Sequence, residues 1–152
     1  MLIQTQTHID RELSNTTLNS LMRGELIAVE TYRHAIATIA GDSPLELNRC
    51  LTSHDLRAVR LAEYITLAGG TPVTGNGLWS AFARLVSRGS TLISRTTLLA
   101  ALEDGESQML SDYRVALPHV DGAGTLLLRS DHLPEQVRTL GIVNHLFRRA
   151  AI

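Results

Sequence analysis

Residues 18–36 read LNSLMRGELIAVETYRHAI and set the architecture of this 152-residue chain. Apolar side chains recur there at alternating steps of four and three residues, which is the spacing of one face of an α-helix. The stripe extends to residue 39 and consists of Leu18, Met22, Glu25, Val29, Tyr32, Ile36 and Ile39. It predicts a first helix over about residues 14–40, with a glutamate among its core positions.

Three further segments predict helices of similar length. The second spans residues 44–67, between a Gly-Asp-Ser-Pro turn and a Gly-Gly-Thr-Pro turn, because glycine and proline end helices. The third spans residues 91–117. The fourth spans residues 124–150, and Pro134 is expected to kink or divide it. The predicted apolar side of the fourth helix consists of Leu133, Val137, Leu140 and Phe147.

The connection between the second and third helices, residues 69–90, is unusually long. Adjacent antiparallel helices are normally joined by about 2–8 residues, so this segment is expected to carry the chain from one end of a bundle to the other. A short extra helix is predicted over residues 78–87, where Trp79 and Phe82 either pack on the bundle or form part of a dimer contact. The fold class is therefore an all-α four-helix bundle with a long crossover. It forms one domain over residues 13–152, after an extension, 1–12, for which disorder is the expectation.

Composition narrows the function classes. The hydrophobic fraction of 44% is enough to fill one core, and the net charge of -1 argues against a nucleic-acid partner. No apolar run approaches the roughly 20 residues of a membrane-spanning helix. Cys50 is the one cysteine, which excludes an internal disulfide, favours the cytoplasm and is interpreted as a core or boundary residue.

Carboxylate and imidazole side chains occupy core positions on three of the predicted helices. An amphipathic helix normally keeps such groups off its buried face, because an unpaired buried charge is costly. The residues concerned are Glu25, His54, Glu103 and Glu106. Glu25 and Glu106 each follow a glycine and each precede a tyrosine by seven residues, which is about two helical turns. The other histidines, His8, His34, His119 and His132, are expected on the surface.

These motifs resemble the ferritin-like superfamily, especially its rubrerythrin-like branch and a related bacterial family of unknown function. The similar stretches are residues 18–36, quoted above, residues 54–72 (HDLRAVRLAEYITLAGGTP) and residues 102–117 (LEDGESQMLSDYRVAL). The resemblance implies a ferritin-like bundle with a metal site in its core. Di-iron members take one glutamate from each of two helices and a Glu-x-x-His pair from each of the other two.

Carried over by position, the resemblance makes Glu25, Glu106 and His54 the matching ligands, with His145 as the candidate on the fourth helix. Glu103 is a further carboxylate one turn before Glu106. The chain departs from the di-iron pattern in an important respect: Leu51 and Ile142 stand three residues before the two histidines, where glutamates belong. This departure argues against an intact di-iron oxidase, and the sequence does not decide whether the protein is an enzyme.

Two interpretations remain open. In the first, the five residues Glu25, His54, Glu103, Glu106 and His145 hold iron or another divalent metal. In the second, no metal is bound: Glu25 and His54 form a hydrogen-bonded pair, and Glu106 serves Tyr32 or Arg23 in the same way. The protein would then work as a self-association or protein-interaction module. A homodimer is expected, with neither nucleic acid nor a membrane as partner.

Overall fold

The computed structural model describes residues 1–39, 44–75 and 94–152. These residues contain no β-strand and build a four-helix bundle. Its elements are α1 (Leu2–Thr38), α2 (Pro44–Leu67), α3 (Arg95–Ala116), a 3-10 turn (Leu117–His119), α4 (Gly122–Leu127), a π-helical turn (Leu128–His132) and α5 (Leu133–Ala150). The last three segments follow one another directly and together form the fourth helix of the bundle.

Helix α1 begins at Leu2, about three turns earlier than the sequence predicts. Residues 1–13 are exposed, and from Leu2 onward they belong to this helix. The hydroxyls of Thr5 and Thr7 donate to the carbonyl oxygens four residues earlier, at 3.1 and 2.8 Å, so these polar side chains are accommodated on the helix surface. Ser14, the predicted start, is instead a buried mid-helix residue.

Helix α2 ends in a glycine cap, as its Gly-Gly-Thr-Pro sequence predicts. Gly69 has φ of 80°. Its amide donates to Thr66 O at 3.0 Å, and the amide of Gly70 donates to Ile65 O at 2.8 Å. This is the Schellman arrangement, which satisfies the last carbonyls of a helix and needs a left-handed residue that glycine adopts without strain.

The two apolar clusters of the core define how the helices run. One contains Ala35, Leu47, Leu98 and Val143, and the other contains Leu18, Leu61, Tyr113 and Leu128. The end of α1 therefore meets the start of α2 and of α3, so α2 and α3 are parallel to each other. The chain must travel the length of the bundle between them, which confirms the long crossover. The predicted short helix with Trp79 and Phe82 lies outside the described residues.

The fourth helix passes Pro134 without a break. The amide of Leu133 donates to Leu128 O, five residues back, which widens one turn just before the proline. Pro134 follows directly after this widened turn, at the start of α5. The predicted apolar side of this helix is only partly correct: Leu133 and Phe147 pack against the core clusters. Its buried residues in α5 are Gln136, Thr139, Val143 and Leu146, whereas Val137 is exposed.

Within the described parts of the chain, no helix combines the length and the apolar character that crossing a membrane requires.

Candidate functional site

Glu25, His54 and Glu106 converge in the middle of the bundle, and each is at most 2% exposed. The imidazole of His54 lies between the two carboxylates. Its Nδ1 is 2.6 Å from Glu25 Oε2, and its Nε2 is 2.8 Å from Glu106 Oε1. Helices α1, α2 and α3 thus each contribute one of the predicted polar core residues to a single cluster.

The other two predicted ligands lie elsewhere. Glu103 is half-buried and His145 is exposed. Neither side chain hydrogen-bonds to the cluster among the residues that the structure describes. Glu103 precedes Glu106 by three residues, which places it beside the inward face of α3. On α5 the inward face is set by Val143 and Leu146, and His145 falls between them on the solvent side.

Arg57 is a member of the cluster that the sequence analysis missed. Its side chain is 1% exposed, and its Nη1 lies 3.2 Å from Glu25 Oε1. The same nitrogen donates to Gln136 Oε1. Nη2 lies 3.0 Å from His54 Nδ1, and Nε donates to the carbonyl oxygen of Ser53 at 3.3 Å. An arginine is normally expected on a helix surface, and its three-residue spacing from His54 was the available signal.

Gln136 and Thr139 complete the cluster from the fourth helix. Gln136 Nε2 donates to Glu106 Oε2 at 2.6 Å and to the Glu106 carbonyl oxygen at 2.8 Å. Thr139 Oγ1 donates to Glu106 Oε2 at 2.7 Å. Both were missed because the predicted core face of this helix was rotated by about one residue.

The two Gly-Glu…Tyr motifs exchange partners across the bundle. Tyr32 on α1 donates its hydroxyl to Glu106 on α3, and Tyr113 on α3 donates to Glu25 on α1. All four side chains are buried. The predicted correspondence between α1 and α3 therefore exists in three dimensions, but each tyrosine serves the glutamate of the opposite helix.

The electrostatics of the cluster favour charged side chains. Burial alone raises the pKa of Glu25, but His54, Arg57 and Tyr113 outweigh it and hold the pKa below its ordinary value of 4.5. The pKa of Glu106 is lowered in the same way, against burial, by His54, Tyr32 and Thr139. Burial lowers the pKa of His54, but Glu25 and Glu106 more than reverse this and raise it above 6.5.

Two further buried groups border the cluster. Burial is the main cause that raises the pKa of Cys50 to about 12, with Glu106 adding to it, so this residue is a thiol in the core as predicted. His132 is wholly buried, so its predicted surface position is wrong. Its Nε2 lies 3.2 Å from the carbonyl oxygen of Arg57, and burial is the main cause that lowers its pKa below 6.5.

The chain has the ferritin-like bundle fold. It superposes with a TM-score of 0.71 on a Bacillus anthracis structure described as that of ferritin-like, diiron-carboxylate proteins. The two share 19% sequence identity, over 91% of this chain and 97% of the other. No model of a protein family and no curated protein matches the sequence.

The residues present do not fit a di-iron centre. The glutamates on α1 and α3 are in place, but the inward pairs three residues apart are His54–Arg57 on α2 and Gln136–Thr139 on the fourth helix, where the pattern has Glu-x-x-His twice. His54 thus stands first in its pair, and not second as the resemblance implied. An arginine stays protonated in proteins and offers no lone pair to a metal. Among the described residues, no group of three or more His, Cys, Asp or Glu side chains has a geometry that could hold a metal ion.

Proposed function

We propose that this chain is a ferritin-like bundle that works without a metal centre, as a self-associating helical module. One observation carries the metal-independent part. The carboxylates of Glu25 and Glu106 pair with the side chains of Arg57 and His54, and the pKa of His54 is raised there, so positive charge from the chain itself meets the negative charge inside the core. In a di-iron protein the metal ions supply that positive charge.

A metal ion would have to compete with these contacts. Both carboxylate oxygens of Glu25 have partners, namely Tyr113 and Arg57 on one oxygen and His54 on the other. Those of Glu106 are occupied in the same way. A cation entering the site would be repelled by Arg57. Expelling Arg57 would break a buried ion pair, which costs about 3–5 kcal/mol.

The network suits a structural role in the bundle. It links all four helices through a single polar layer, in which Glu25, His54, Glu106 and Gln136 stand on different helices. A buried polar layer of this kind is satisfied only when the helices keep one register. We therefore propose that the network holds the four helices in one register.

The self-association part rests on the first turns of α1. Leu2, Ile9 and Leu13 are 88%, 52% and 49% exposed. Their spacings of seven and four residues place them on one side of the helix, and Gln6 completes the same seam. Such a heptad pattern with one polar position is typical of helices that pair with each other. A second copy of this chain fits the seam, because the same apolar residues would face each other.

The test of self-association is the molar mass in solution. Size-exclusion chromatography with light scattering is expected to give a dimer for the natural sequence and a monomer for the Ile9→Glu, Leu13→Glu variant. Leu67→Glu is the matched control, because Leu67 is also exposed but lies at the end of α2. A natural chain that is monomeric at high micromolar concentration would refute this part of the proposal.

A second candidate function is the binding of iron or another divalent metal through Glu25, His54 and Glu106, with Glu103 and His145 as further ligands. It is favoured by the convergence of the first three residues. The deciding measurement is the metal bound after incubation with ferrous iron or zinc and desalting. Sub-stoichiometric metal that is unchanged in Glu25→Ala and His54→Ala supports the metal-independent proposal. Stoichiometric metal that both variants lose would establish the metal site instead.

A further inference from the structure

A cavity of about 300 Å³ opens between α1 and α3. Small residues line it where the two helices face each other, namely Ala28, Ala101 and Gly105, whereas Gly24 is covered by Met109. A Cβ atom added to Gly105 would meet no other atom within 4 Å, so this glycine borders open space. A cavity of about 150 Å³ is large enough for benzene, so this one has the size of a ring with a short substituent.

The cavity has an apolar wall and a polar floor. Ile27, Leu102 and Met109 contribute the larger apolar side chains of the wall. At the floor lie Tyr32 and Glu106, beside His54. The hydroxyl of Tyr32 donates its hydrogen to Glu106, so what the tyrosine oxygen still offers a ligand is acceptor capacity.

The charge at the mouth of the cavity is negative. Asp112 lies there on α3, exposed, and accepts a hydrogen bond from Gln108 at 2.8 Å. The other charged lining residues are Glu106 and His54, which pair with each other at 2.8 Å. The Glu106–His54 pair does not neutralise Asp112, so the carboxylate of Asp112 is left as a negative charge on the cavity lining. The carboxylate at the mouth and the apolar wall beside it complement a cation that carries an apolar group.

We propose that this cavity binds a small apolar amine. The ammonium group pairs with Asp112 at the mouth, and the ring or alkyl body lies against Ile27, Leu102 and Met109. The site uses a different part of α1 from the seam proposed for self-association, so the two proposals stand independently. It also requires no metal and no change in the buried ion pairs.

The test compares three probes of similar size, namely benzylamine, benzyl alcohol and benzoate, by chemical-shift titration of the full chain. Benzylamine is expected to bind most tightly and benzoate most weakly. Asp112→Asn is expected to weaken benzylamine binding by up to about fivefold, since an ion pair with an exposed carboxylate contributes up to about 1 kcal/mol, and to leave benzyl alcohol binding unchanged.

A filling variant tests the location. Gly105→Leu is expected to abolish binding of benzylamine, because its side chain enters the cavity. Gly141→Leu is the matched control: its Cβ also meets no atom within 4 Å, and it lies on α5, away from the cavity. Circular dichroism checks that both variants remain helical.

Several results would overturn the proposal. They are benzoate binding as tightly as benzylamine, binding that persists in Gly105→Leu, or no shift with millimolar benzylamine. A Gly105→Leu chain with an altered oligomer mass would show that another copy, not a small molecule, fills the cavity. If the Ile9→Glu, Leu13→Glu variant no longer dimerises but still binds benzylamine, the ligand proposal is supported independently of the self-association proposal.

Discussion

Arg57 carries its guanidinium into a position that an amphipathic helix normally gives to an apolar side chain, and it is 1% exposed there. Its contacts with Glu25 and Gln136 join α2 to α1 and to the fourth helix. Because these groups are removed from water, the loss of one partner leaves the others with an uncompensated charge or an unmade hydrogen bond.

We expect Arg57→Met to lower the free energy of unfolding by about 3–5 kcal/mol, because Glu25 would then keep a buried charge with one cation fewer. Urea denaturation followed by circular dichroism measures this. The control is Arg60→Met on the same helix: Arg60 pairs with Asp131 near the surface, and loss of such a pair costs about 1 kcal/mol or less.

A double-mutant cycle separates the ion pair from the general effect of substitution. The Glu25→Gln, Arg57→Met variant is expected to lose less stability than the sum of the two single variants, since each single change strands the partner of the other. Strict additivity would mean that Arg57 and Glu25 do not interact and would contradict the charge-balance argument.

At this scale the sequence predicted half of the cluster. Glu25, His54 and Glu106 were identifiable because a charged group on an otherwise apolar stripe is conspicuous. Arg57 and Gln136 were not, because each lies one step off the most apolar stripe of its helix. Their inward direction depends on how the helices are rotated in the bundle, and only the packed structure fixes that rotation.

The helices themselves show where sequence patterns suffice. The stripe of α1 contains apolar residues at nearly every core position, and the predicted face is the buried one. In α5 the buried face carries Gln136 and Thr139, whereas exposed positions include Val137. The apolar stripe is therefore rotated by about one residue from the buried face there, although Leu133 and Phe147 still pack against the core. The π-turn before Pro134 adds to the difficulty, because it shifts the phase of the helix by one residue.

The glycine cap of α2 gives a prediction for a single element. Gly69→Ala is expected to destabilise the protein by about 1–2 kcal/mol, because φ of 80° places Cβ close to the following carbonyl oxygen. The midpoint of urea unfolding measures the loss. Gly141→Ala in α5 is the matched control and is expected to stabilise by up to about 1 kcal/mol, since its helical position has room for a Cβ.

An equal effect of the two glycine substitutions on stability would contradict the role of Gly69 as a left-handed cap.

The cap also directs the chain toward α1 as it leaves α2. There Asn19 Nδ2 donates to the Thr71 carbonyl oxygen at 3.0 Å, and Asn19 Oδ1 accepts from the Val73 amide at 2.8 Å.

For the whole molecule, topology was the most predictable property. The length of the connection after α2 and the four amphipathic segments together required parallel second and third helices. The charge state of the core was not predictable, because it depends on distances between groups that are far apart in sequence. Those distances determine how the stability of the molecule responds to pH.

The pKa of His54 is raised and that of His132 is lowered, so the two histidines change the stability of the protein on opposite sides of pH 6.5. His54 has a raised pKa, so the stability that it contributes is complete below 6.5 and is lost as the pH rises from there through the folded-state pKa. His132 has a lowered pKa, so its contribution is complete above 6.5 and is lost as the pH falls. The lowered pKa values of Glu25 and Glu106 add a further loss below 4.5.

The free energy of unfolding is therefore expected to peak near pH 6.5 and to fall on both sides, more steeply below pH 4.5. Urea denaturation at a series of pH values below 9.0, where the Cys50 thiol begins to contribute, measures the profile. His54→Gln is expected to flatten the alkaline limb and His132→Gln to flatten the limb just below the peak, whatever each substitution does to the overall stability. A natural chain whose stability rises steadily from pH 6.5 to pH 9.0 would show that His54 is not held as a cation between Glu25 and Glu106.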